Sequence, residues 1–319
     1  MVRKVPAVLG FVLAVFAIRA GLGAQAPGAP ASRELVGTWT LSAVERMGGG
    51  APAAVPLPRG LLVFDAAGHA FELVSAGRRI LYTANQPTPA EAHAVYNNYS
   101  GFWGSYNAGD QKITYRPEGA VSPNAMGQDI VRSFSLKGDR LTVESAAGAP
   151  DGQDQTRWTW ERVPQLENLT PANRQLLGFW RHVVERRVSE STGAVINEAT
   201  RAPSVIVYTP SGYVGVHFPP LNRARFAAAL PTDDEAQAAI RGFVSYYGAY
   251  TLYPGLVFHH RLIILGNGQS DSLRRFYEIK GDELTLKFPP GGASPLGPDG
   301  RTNVILKRIS GEKDMVPRL

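Results

Sequence analysis

The sequence predicts an all-β protein built as two tandem eight-stranded antiparallel barrels, each with one helix inserted after its third strand. Three observations predict it: the chain repeats itself once, each copy is a run of short strands joined by tight turns, and each copy carries one helix-start signal at the same place. Leu35-Val36-Gly37-Thr38-Trp39 returns as Leu176-Leu177-Gly178-Phe179-Trp180. From Gly60 onward the copies run in step, Gly68 with Gly212, Glu91 with Glu235, Gly104 with Gly248 and Tyr106 with Tyr250. Lys137-Gly138-Asp139-Arg140-Leu141-Thr142 answers Lys280-Gly281-Asp282-Glu283-Leu284-Thr285. A period this long is too large for a solenoid unit and marks two whole domains.

In each copy, Leu61 to Phe64 and Val205 to Tyr208 lead into Gly68 and Gly212 turns and then into Ala70 to Val74 and Tyr213 to Phe218, which read as hairpins. Thr88-Pro89-Ala90-Glu91 and Thr232-Asp233-Asp234-Glu235 match the capping box, and Pro89 falls at the first helical position. The helices are expected to run to about Gly101 and Tyr246. Strands follow around Tyr106 and Tyr250, at Ile113 to Tyr115 and Leu256 to Leu265, at Ile130 to Leu136 and Leu273 to Ile279, at Leu141 to Glu144 and Leu284 to Lys287, and at Thr156 to Arg162 and Thr302 to Arg308. Sequential hairpins of this kind favour closure, which removes edge strands. An eight-stranded barrel has an interior that side chains fill or that holds one small ligand.

The chain starts with Arg3 and Lys4, an apolar run from Pro6 to Ile18 and small residues to Ala24, the pattern of a signal peptide over residues 1–24; an uncleaved anchor is the alternative. A flexible leader (25–34), a first domain (35–163), a linker (164–174), a second domain (175–310) and a frayed tail (311–319) complete the expected organisation. Cysteine is absent, which excludes disulfides and thiol chemistry, and a periplasmic or secreted location with no integral span in the mature chain is expected. The net charge of +6 loses Arg3, Lys4 and Arg19 with the signal, and no basic run is dense enough to track phosphates, so no nucleic-acid partner is expected.

Gly37-x-Trp39 and Gly178-x-Trp180 open the first strands, and Arg162 and Arg308 close the last. The second copy adds Tyr208-Thr209-Pro210-Ser211-Gly212-Tyr213, Tyr246-Tyr247-Gly248-Ala249-Tyr250, His259-His260, Arg274-Arg275-Phe276-Tyr277 and Gly281-Asp282-Glu283-Leu284-Thr285-Leu286. In these residues the chain resembles the bacterial lipocalin-like domain family, in tandem copies. The resemblance implies a lipocalin-like, calycin-type barrel with a ligand-sized cavity, and an arginine packed across the first-strand tryptophan; it implies no reaction. The first copy departs from the pattern, with Tyr115-Arg116 where the second has His259-His260, and with Arg132 alone.

Alternate residues of a strand share a face. On the strand from Leu273 the more apolar row is Leu273, Arg275, Tyr277 and Ile279, and its counterpart is Ile130, Arg132, Phe134 and Leu136, so both barrels are expected to turn one arginine inward. A buried guanidinium needs an internal salt bridge, a backbone partner, or an acidic or carbonyl ligand. The same test selects Leu256, Phe258, His260, Leu262 and Ile264 as inward, with His259 outward. His182 follows Trp180, and His217 follows Tyr213 and Gly215 in a row matching Phe71 and Leu73. Three imidazoles from His182, His217 and His260 could hold a metal, but no short ligand spacing supports one and no cofactor is expected. The same histidines could be satisfied by Tyr208 or Tyr277, or His260 could act as an acid or base. The aromatic cluster Tyr96, Tyr99, Phe102, Trp103, Tyr106, repeated as Phe243, Tyr246, Tyr247, Tyr250, is expected to pack a helix on its barrel, or else to form a lid or a face between the lobes.

The leading expectation is a small, mostly apolar ligand with a polar or acidic end in the second barrel, walled by Phe258, Leu262 and Tyr277, with Tyr208, His182 and His217 nearby and His260 and Arg275 on the polar group; Arg132 is the first barrel's candidate. The alternatives are an enzyme performing proton transfer, cyclisation or hydration with His260 as acid/base, and a structural or protein-binding module with filled barrels.

Overall fold

The computed structural model describes residues 33–47, 53–77, 80–84, 86–146, 148–149, 155–265, 271–289 and 300–315. The expected signal segment and nearly all of the leader lie outside them.

The first lobe comprises β1 (Gly37–Arg46), β2 (Ala53–Ala54), β3 (Arg59–Phe64), β4 (His69–Ser75), α1 (Pro89–Asn98), β5 (Tyr99–Gly109), β6 (Lys112–Ala120), β7 (Ile130–Lys137), β8 (Arg140–Ser145) and β9 (Thr156–Arg162). After α2 (Pro171–Leu176) the second lobe repeats it as β10 (Gly178–Val188), β11 (Val195–Ala199), β12 (Val205–Tyr208), β13 (Tyr213–Phe218), α3 (Asp233–Ile240), β14 (Val244–Tyr253), β15 (Leu256–Leu265), β16 (Ser272–Lys280), β17 (Glu283–Lys287) and β18 (Arg301–Arg308), followed by α4 (Glu312–Met315). Each sheet is antiparallel and up-and-down, and β1–β9 and β10–β18 pairing closes each into an eight-stranded barrel, with β2 and β11 as short flaps on the first strands. Among the described residues no helix is long and apolar enough to cross a membrane.

Both capping boxes form. Thr88 accepts from the Glu91 N–H while Glu91 accepts from the Thr88 N–H, and Thr232 and Glu235 do the same. The helices end earlier than the sequence suggests, at Asn98 and Ile240, because the aromatic segments behind them are already strand.

The tryptophan-arginine pairing is built identically twice. The Arg162 guanidinium lies 4.0 Å from the Trp39 ring and donates to the Val36 and Glu34 carbonyls; Arg308 lies 4.0 Å from Trp180 and donates to the Leu177 and Gln175 carbonyls. Trp39 and Trp180 donate in turn to the Leu35 and Leu176 carbonyls. These contacts staple the segment before the first strand across one end of each barrel. Gly178 has a φ of 113°, and a Cβ there would lie 2.0 Å from the Ser310 carbonyl oxygen, so only glycine fits this close approach.

The lobes pack through one continuous apolar core. The outer faces of β3, β4 and β5 meet those of β12, β13 and β14, with α1 beside α3, and Phe71, Leu73, Trp103, Phe179, Val207 and Tyr247 are buried between them. The Phe71 ring lies so near Gly215 that a Cβ there would be 2.6 Å away. The expectation that the aromatic cluster packs each helix on its own barrel is therefore corrected. The cluster splits by strand phase: Tyr99, Trp103, Phe243 and Tyr247 enter the inter-lobe core, while Phe102, Tyr106, Tyr246 and Tyr250 point into the barrels. Nor is the tail frayed throughout: Met315 on α4 is fully buried in the inter-lobe core, and Asp314 accepts from the Ala66 N–H.

Candidate functional site

The first barrel is filled. Trp39, Trp158, Trp160, Phe64, Phe102 and Tyr115 pack its interior, and Arg132 projects among them. Its guanidinium stands 4.3 Å from the Trp158 ring and donates to Glu72 at 2.6 Å, with both side chains only 1% exposed. The sequence-predicted arginine is inward, and here it is cancelled by an internal acid.

The second barrel is built on the same register with different residues. Glu72 pairs across the sheet with Leu62 and Phe102; the matching position, between Ile206 and Tyr246, is Val216. Tyr115, opposite Tyr106, becomes His259, opposite Tyr250. Trp158, opposite Val143, becomes Val304, opposite Leu286. Arg132, opposite Ile113, becomes Arg275, opposite Val257. The acid and the largest ring are gone, and the arginine remains.

The space left is a cavity of about 90 Å³ lined by Ile206, Val216, Tyr246, Leu273, Arg275 and Phe288, with Glu185, Arg201, Phe218 and Val244 at its rim. Val244 is 41% exposed, so the cavity reaches solvent there. The Arg275 guanidinium lies 3.7 Å from the Phe288 ring and donates to the Arg274 carbonyl at 2.8 Å. Among the described residues no carboxylate pairs with it. Burial pulls its pKa down, and guanidinium remains a cation all the same. Glu185 does not neutralise it, because Arg201 holds Glu185 at 2.6 Å.

Residues 36–163 match the family model described as a lipocalin-like domain. The first lobe is similar to that family over its whole length. The match falls on that copy, whereas most of the sequence cues gather in the second; the second lobe has the same strand order and closure. No curated protein matches the chain. Among solved structures, a Bacteroides fragilis protein described as a "putative outer membrane protein" is similar at 10% identity and a TM-score of 0.22, over 86% of this chain and 98% of that one; so low a score carries no argument.

Several expected site residues of the second barrel are placed differently. His259, not His260, is inward: it is buried, with Nε2 2.8 Å from the Tyr208 hydroxyl and Nδ1 2.7 Å from the Tyr246 hydroxyl. His260 is exposed on the outer face, where it meets Thr251 and stacks on Phe258. The alternation test failed because β15 is bulged at Leu262, between the pairs Gly248–Arg261 and Tyr247–Ile263. Ile264 is inward as expected, but every residue before the bulge is inverted, so Leu256, Phe258, His260 and the 48% exposed Leu262 do not wall the cavity. The missed signal was Gly248: a Cβ there would lie 1.9 Å from the His260 carbonyl oxygen, and a glycine inside a strand marks a bulge.

His217 is also redirected. It is fully buried, but beside Ser245 and Phe243 on the inter-lobe face; its row is apolar because the other lobe covers it. His182 keeps the inward phase of Trp180 and meets Phe218 edge-on at the cavity rim, 5.4 Å between ring centres. Tyr208 and Tyr277 pack in the barrel interior. The three candidate metal-ligating histidines are thus on three different faces, and among the described residues no group of three His, Cys, Asp or Glu is placed to hold a metal ion.

Burial pushes the His259 pKa down to about 3, with Arg275 and Arg261 adding to the effect, so its imidazole is neutral. Burial likewise raises Tyr246 to about 12, which keeps its hydroxyl protonated.

A larger cavity, about 300 Å³, sits over the mouth of the first barrel between Arg46, Asn97, Ser100, Phe102 and Leu230. Phe102, one of its lining residues, lies beside Arg132, whose charge Glu72 already meets.

Proposed function

We propose that this protein binds a small, mostly apolar molecule with an acidic end inside its second barrel, and that Arg275 holds the acid. The observation that carries this reading is the uncancelled cation. Two barrels of one register turn the same arginine inward, Arg132 fully buried and Arg275 partly so; one supplies Glu72 to meet it, and the other has Val216 and an open cavity. A guanidinium in an apolar site is costly without a partner, and a ligand carboxylate would supply it. A cavity of about 90 Å³ takes a carboxylate and the first few carbons of a chain; the remainder would leave past Phe218 and Val244.

The acid/base alternative built on His260 has no support from the geometry, because His260 lies outside the barrel. The filled-module alternative fits the first barrel's interior. A periplasmic or secreted setting is part of the proposal, resting on the apolar run from Pro6 to Ile18 and the cysteine-free sequence.

Calorimetric titration with hexanoate tests the reading. Wild type is expected to bind hexanoate more tightly than hexan-1-ol, and Arg275→Gln to weaken hexanoate by about a hundredfold, the scale of losing one buried charge partner. Equal affinity for acid and alcohol, or an unaffected Arg275→Gln, would overturn it.

A further inference from the structure

The polar interior of the second barrel has a direction. Tyr208 is fully buried, and among the described residues its hydroxyl has one hydrogen-bond partner, His259 Nε2. Tyr246 is buried too, and among the described residues its hydroxyl also meets only His259, at Nδ1; but Tyr246 lines the cavity and Tyr208 does not, so of the two it is the Tyr208 O–H that accepting from His259 would strand without a partner. Tyr208 therefore donates to Nε2. A neutral imidazole has one N–H, so the proton of His259 is on Nδ1 and is donated to the Tyr246 oxygen, 2.7 Å away. Tyr246 then cannot give its own proton back to His259. Tyr246 lines the same cavity as Arg275.

We infer that Tyr246 is a second ligand-binding group, its O–H aimed into the cavity by the one-way chain Tyr208 to His259 to Tyr246, so that Arg275 and Tyr246 together take the two oxygens of a deprotonated carboxylate. Resting on the proposed function, this deepens it in two ways. The ligand class narrows to carboxylates, whose two acceptor oxygens suit one cationic fork and one hydroxyl donor. His259 becomes a positioning residue that never touches the ligand. The donor is set before binding, so the ligand finds it already ordered. The first barrel has no such chain, because Phe64, Phe102 and Tyr115 stand where Tyr208, Tyr246 and His259 stand in the second.

Two measurements on the full chain test this. Nitrogen-15 NMR of the ligand-free protein reads the His259 tautomer directly; the proton is expected on Nδ1, and finding it on Nε2 would overturn the inference with no variant needed. Titration with hexanoate then compares wild type with Tyr246→Phe, which keeps the ring and is expected to weaken binding about tenfold or more, as loss of a hydrogen bond to a charged group does. If Arg275→Gln abolishes hexanoate binding while Tyr246→Phe binds as wild type, the inference falls and the proposed function stands. If wild type does not bind hexanoate, both fall.

Discussion

Val216 occupies in the second barrel the register position that Glu72 occupies in the first, one strand over from a tyrosine where the first has a phenylalanine. That exchange removes the internal acid from one of two otherwise matched arginines. It leads to the first prediction: Val216→Glu restores an internal counter-ion for Arg275. Hexanoate binding is expected to fall by about a hundredfold or more, while the fold is kept, because the new carboxylate competes for the same guanidinium. Calorimetry checks the affinity, and a urea midpoint near that of wild type checks the fold.

In the first barrel the converse change is destructive. Glu72→Val leaves Arg132 buried among Trp158, Phe102 and Tyr115 without its acid. Removing one partner of a buried pair costs about 3–5 kcal/mol. Chemical denaturation followed by tryptophan fluorescence measures it; a loss under about 1 kcal/mol would mean the pair is not a buried ion pair at all.

Stability is expected to fall in mild acid. His259 and His217 have folded pKa values pushed down to about 3, in both cases first by burial, against about 6.5 in the unfolded chain. The unfolded state therefore takes up protons that the folded state refuses, and the stability held above about pH 6.5 drains away as pH falls toward 3, by up to about 1.4 kcal/mol per pH unit for each histidine. His69 opposes this. Burial lowers its pKa, but the Asp65 carboxylate 2.8 Å away outweighs burial and the net shift is upward. Its contribution is complete below about 6.5 and is lost as pH rises through its folded value. Urea midpoints at pH 7 and pH 5 decide the balance, and the two low-pKa histidines predict the lower midpoint at pH 5.

The contact between lobes predicts an overpacking penalty. Gly215→Ala puts a Cβ against the Phe71 ring and is expected to cost about 1–3 kcal/mol. Phe71→Leu in the same chain is expected to recover part of that loss, and a double-mutant cycle that is strictly additive would contradict the contact.

Much of this fold is legible in the sequence, since a repeated strand-turn-strand pattern, two capping boxes and two Gly-x-Trp openings agree at every level. The inward arginines are legible too, because β7 and β16 alternate without a bulge. The histidines are not. Strand phase is a parity argument, and the single extra residue at Leu262 reverses it for all of Leu256 to Arg261. The row of His217 misleads for a different reason: an apolar row looks the same whether it faces a barrel interior or a neighbouring lobe. The absent counter-ion is a relation between β13 and β16, and only the register of both copies reveals it.

The most direct test is a crystal structure of the protein with hexanoate. The carboxylate is expected inside the second barrel, within hydrogen-bond distance of the Arg275 guanidinium and the Tyr246 hydroxyl, with the chain running out past Phe218. Hexanoate in the larger cleft beside Arg46, with the second barrel free of it, would contradict the account.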